Sequence, residues 1–103
     1  MQFKKELREP VKSGEITKTV RIWKSQRVKA GNSYRLSPGF VVVDSIHRIE
    51  FDDITPRLAR ETGFGSVASL VKTANHGDGE NVYLISFHYV DDQAKRGQSG
   101  GEI

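Results

Sequence analysis

The chain has 103 residues, 36% of them hydrophobic and 28% charged, and it has no cysteine. That length holds one domain around one core, and no apolar run reaches the roughly 20 residues that span a bilayer. The missing cysteines exclude disulfides, a thiolate nucleophile and a cysteine-based zinc site, and the opening Met1-Gln2-Phe3-Lys4-Lys5-Glu6 lacks the apolar stretch of a secretory signal, so a cytoplasmic protein is expected.

The formal net charge of +3 hides an asymmetry. Residues 1–35 carry ten Lys/Arg against three Glu, and residues 36–103 carry six against ten Asp/Glu. A one-sided basic field attracts polyanions over about a Debye length, ~8–10 Å at physiological ionic strength.

In chain order, Glu6 to Ser13 predicts a helix of one or two turns that packs Leu7 and Val11. Pro10 limits its length, and Gly14 closes it. Thr17 to Lys24 alternates as a strand. A polar connection over 25–29 and the turn signal Ala30-Gly31-Asn32 lead to a second strand at Ser33–Leu36, stopped by Ser37-Pro38-Gly39. The third strand, Phe40 to Phe51, changes apolar parity near Asp44-Ser45, which predicts a bulge. Thr55-Pro56 and Ser66 then open two helices, each with a capping hydroxyl. The first ends at Gly63; the second turns Val67, Leu70, Val71 and Ala74 inward. A polar flap from His76 to Asn81 is expected to edge a cleft with Glu80 and Asn81. The last strand, Val82 to Val90, is apolar on both faces and therefore central. Tyr83, Phe87 and Tyr89 share one of those faces. Residues 91–103 have little to bury and are expected to be a disordered tail. The expected fold is α+β: a small, curled, mixed or antiparallel β-barrel with two or three short helices.

The first strand holds most of the chemistry. Thr19, Arg21 and Trp23 share one face and Val20 and Ile22 the other. A hydroxyl, a guanidinium and an indole in a row suit a ribose or carbonyl, a phosphate and a base. Each also has a structural role open to it: Arg21 as a partner for the acidic stretch Asp44–Asp53, Trp23 as core or barrel rim. Lys4, Lys5, Arg8 and Lys12 on the first helix, and Lys24, Arg27 and Lys29 after the strand, suit a nucleic-acid backbone. His47, His76 and His88 have no metal-ligand spacing, so no metal and no cofactor are expected, and His47 and His88 read as satisfied structural residues.

The run Gly14-Glu15-Ile16-Thr17-Lys18-Thr19-Val20-Arg21 resembles the glycine-x-lysine-threonine-x-threonine-x-arginine run of ASCH domains, small relatives of the PUA fold. Val28-Lys29-Ala30-Gly31-Asn32 is similar to the family's valine-x-x-glycine-aspartate step, and the resemblance covers residues 3–90. It implies a PUA-like barrel over residues 1–90 with a cleft for RNA or a modified nucleoside or nucleotide. Some relatives of similar size hydrolyse N4-acetylcytidine with a Lys, a Thr and a Glu. Here the Thr falls on Thr19, the Arg on Arg21 and the Glu near Glu61, but the Lys falls on Ile16. A threonine nucleophile needs a base; Lys18 or Lys72 would have to supply it. The resemblance therefore points to a binder more than to an enzyme. Its ligand-binding set is Thr17, Thr19, Arg21, Trp23, Lys24, Arg27, Lys29 and Tyr34, on a monomer that avoids membranes.

Overall fold

The computed structural model describes residues 2–75 and 79–91. Eight elements follow one another: α1 (Lys5–Ser13), β1 (Lys18–Trp23), β2 (Ser33–Leu36), β3 (Gly39–Ile49), a short 3-10 turn (Phe51–Asp53), α2 (Pro56–Glu61), α3 (Val67–Ala74) and β4 (Asn81–Val90). The strands form one curled antiparallel sheet, a half-barrel, in the order β1-β4-β3-β2. The last strand is thus central, as its two apolar faces predict. The expected disorder of residues 93–103, and His76 with its neighbours in the flap, lie outside the described residues. Among the described residues no helix is long and apolar enough to cross a membrane.

The sheet sorts its side chains by alternation. Val20 and Ile22 of β1 and Val82 and Leu84 of β4 face α2 and α3, where they meet Ala59, Leu70 and Ala74. The opposite face carries two clusters. One is Phe3, Val11, Ile16, Val41 and Phe87, under α1; the other is Trp23, Val28, Val43, Tyr83 and Ile85. Burying each large side chain contributes ~1.5–3 kcal/mol, so both faces of β4 are heavily committed.

Local signals hold at the helix starts. Thr55 Oγ1 accepts from the Leu58 amide at 3.1 Å, and Ser66 Oγ accepts from the Ser69 amide at 3.1 Å. Such caps contribute ~1 kcal/mol each. The bulge also falls where the parity slips: Val43 lies opposite Phe87 and Ser45 opposite Ser86, which leaves Asp44 unpaired in the ladder. Asp44 turns out to solvent and meets His88 Nδ1 at 2.8 Å. His88 is thus satisfied by Asp44, as expected, although both it and His47 are exposed. Pro10 shortens α1 less than expected: the helix spans nine residues with Pro10 inside it. Pro10 lacks an N–H, but its carbonyl accepts from the amides of both Glu15 and Ile16. Those bonds and the packing of Val11 and Leu7 hold the segment helical.

One glycine decides how α2 leaves the core. Gly63 has φ +95°, and its amide donates to Arg60 O while the next amide, of Phe64, donates to Ala59 O at 2.8 Å. This is the Schellman closure, which needs a left-handed residue at that point. A Cβ there would also lie 2.5 Å from Leu7 Cδ2 and 2.8 Å from Ile16 Cδ1. Ile16 is thus wedged between α1 and the end of α2, at the wall of a groove that Glu6, Glu15 and Glu61 also line.

Candidate functional site

Among the described residues β1 pairs with one strand, β4; its outer edge carries a bridge between Ile22 and Asn75 and the close approach of Gly79 to the Ile22 carbonyl. The residues leading into α1 cover one face of this edge, and the last turn of α3 covers the other. Between them lies a cleft of about 250 Å³. Its polar lining is Thr19 and Arg21 from β1, Thr73 from α3, and Gln2 and Lys4. Its apolar walls are Phe3, Leu7, Val20, Phe64 and Ala74. Among the described residues both charged groups of the lining are cations, and no carboxylate lines the cleft.

Arg21 is 9% exposed, unusual for a guanidinium. Its Nε donates to Thr19 Oγ1 at 3.3 Å, its Nη2 donates to the Gln2 carbonyl, and the group lies over the Phe3 ring at 5.1 Å. Among the described residues it has no carboxylate partner, so the acidic stretch Asp44–Asp53 does not neutralise it. Desolvation pushes its pKa down from the usual arginine range to about 10. The guanidinium also lines the cleft. A cation held this way favours an incoming anion, because an opposite charge restores what burial removed.

The other expected site residues separate. Trp23 is 5% exposed and packs on the Tyr83 ring at 5.7 Å, so it belongs to the core and offers no face to a base. Tyr34 is half-buried against the same cluster, and its hydroxyl accepts from the Lys29 amide at 3.1 Å. Thr17, Lys24, Arg27 and Lys29 are exposed, and none lines the cleft. Asn81 does not edge the cleft either; its Nδ2 donates to the Lys24 carbonyl at 2.8 Å, at the Trp23 end of the strand. Lys18 approaches Glu61 at 3.9 Å, and Arg57 approaches it at 4.0 Å. Glu61 lines a different groove, of about 390 Å³, where Glu6 and Glu15 make the charge mainly acidic against Arg60. Lys72 is exposed on α3 and does not line the cleft. Thr19 Oγ1 accepts from Arg21, and among the described residues no lysine, histidine or carboxylate hydrogen-bonds to it. The set Thr19, Glu61, Lys18 and Lys72 is not brought together.

Phe64 and Thr73 carry no sequence signal of their own. Phe64 reaches the cleft because the closure at Gly63 turns the chain back over α2. A glycine after a helix followed by an aromatic would have located that turn, but not what it faces. Comparison with protein-family models, with curated proteins and with solved structures finds no match to this chain.

Proposed function

We propose that this protein binds RNA or a nucleotide in the cleft at the outer edge of β1. The observation that carries the reading is Arg21, a buried guanidinium that among the described residues has no carboxylate partner, beside Lys4 in a cleft that those residues give no acidic lining. An arginine fork suits phosphate oxygens, and the apolar walls suit a base or sugar. The acidic neighbouring groove is larger but repels the same ligand. The basic first third of the chain steers a polyanion toward this end of the molecule. The curled half-barrel and the Gly14–Arg21 run support a PUA-like, ASCH-type relationship.

The test is a titration with short single-stranded RNA at two salt concentrations. Saturable binding that weakens with salt and falls in Arg21→Met is expected. No binding at ~100 µM in low salt, the weak limit of ordinary non-specific association, sinks the reading.

A further inference from the structure

Resting on that reading, we infer that the cleft takes a single nucleotide with a free phosphate monoester, its phosphate between Arg21 and Lys4 and its base on the Phe64 ring. The charge count comes first. A phosphate monoester carries ~1.5–2 negative charges at pH 7, whereas an internal phosphodiester carries one. The two cations of the cleft, with no lining carboxylate among the described residues, match the monoester.

Size agrees. About 250 Å³ lies just below the ~300–1,000 Å³ of ordinary small-molecule sites, which leaves room for one nucleotide and not for a run of them. Two phenylalanines line the space, and only one can stack. Phe3 has Arg21 over its ring and packs on Phe87 at 5.4 Å, and it is 7% exposed. Phe64 is half-buried, and the group over its ring is Lys4 Nζ, at 5.8 Å. Lys4 is exposed on a long flexible stem. Moving its ammonium from the ring to a phosphate bares the ring face for a base. The ring itself is held in advance, because its backbone is fixed by the closure at Gly63.

The experiment titrates the full chain with nucleoside 5′-monophosphates, with unphosphorylated nucleosides, and with hexauridylate bearing a 5′-phosphate, a 3′-phosphate or hydroxyls at both ends. Ligands with a monoester should bind at least ~10-fold tighter than their hydroxyl counterparts, the usual gain from charge-assisted contacts. Lys4→Ala should shrink that gap to within ~3-fold while leaving hydroxyl-ended RNA nearly unaffected. Phe64→Leu keeps the apolar packing but removes the ring and should weaken binding ~5-fold or more, whereas Phe64→Tyr should retain it. Tighter binding of phosphate-ended hexamers than of free mononucleotides marks an RNA end as the source, and the reverse order marks a free nucleotide. Hydroxyl-ended RNA binding as tightly as phosphate-ended RNA overturns the inference and leaves RNA binding in place. Inorganic phosphate competing as well as a nucleotide overturns the stacked base. No binding by any of these ligands overturns both readings.

Discussion

Arg21 and Trp23 lie two residues apart on the same face of one strand, and they meet opposite fates. Trp23 is covered by Val28, Val43 and Tyr83, and its indole is part of the core. Arg21 is covered by Phe3 and the Gln2 carbonyl, and it still lines the cleft. Alternation decides which way a side chain points. What arrives to cover it depends on segments far away in the chain: the 24–32 connection at one end of β1, the lead into α1 at the other. One end of the strand is enclosed in the core, and the other lines a cleft.

That contrast can be broken by substitution. The largest expected effect is at Trp23. Trp23→Ala should lower stability by ~3–5 kcal/mol, measured as a shift in the urea midpoint, because a large ring leaves a cavity beside Tyr83. Whatever fraction stays folded should bind RNA with unchanged affinity. Arg21→Met should do the converse, costing at least ~10-fold in affinity with stability unchanged within about 1 kcal/mol or raised, since a desolvated cation is replaced by an apolar side chain. A loss of several kcal/mol in this variant would make Arg21 a structural residue and erase the difference between the two ends.

The proton on Arg21 offers an independent check. Burial lowers its pKa from the usual arginine range to about 10. Below that value both folded and unfolded chains hold the proton, and the folded state bears the desolvation cost. Above about 10 the unfolded chain still holds the proton that the folded chain releases, so this group makes stability rise with pH there. Relative to Arg21→Met, the parent protein should gain stability as pH is raised above 10, read from paired denaturation curves. A smaller effect is expected at Thr19, whose hydroxyl accepts from Nε: Thr19→Val should cost about 1 kcal/mol of binding. The smallest belongs to Lys24 and Lys29 at the Trp23 end. Their double replacement by alanine should change affinity less than ~3-fold and alter mainly its salt dependence.

Much of the fold was legible because it rests on local rules. Thr55 and Ser66 cap their helices through hydroxyls that only those positions supply. The parity change at Asp44 marks a bulge because a strand has only two faces. The run from Val82 to Val90 is apolar on both faces because it sits between two neighbours. The site was legible in part. Thr19 and Arg21 do share a cleft, but Trp23 and Tyr34 do not join them, because an aromatic next to a half-barrel is drawn into whichever apolar cluster closes over it. Phe64 and Thr73 were hidden because they come from α2 and α3, which reach the edge of β1 only in three dimensions. Ile16 shows the same limit from another side: its place in the motif suggests chemistry, and its place in the fold is a wedge between helices.

The pairing of β1 with β4 bears on how the protein is made. β1 is built early and β4 last, and among the described residues β1 has no other partner strand. During synthesis the floor of the cleft cannot set until residues 81–90 have left the ribosome. Until then Val20 and Ile22 face water, and the strand edge is open to wrong partners. Pairing of such distant segments also slows folding relative to local contacts. A nascent chain of this protein therefore has its basic segment long before it has a site. The charge of that segment is present from the start of synthesis, and the cleft beside it is shaped only with the last strand.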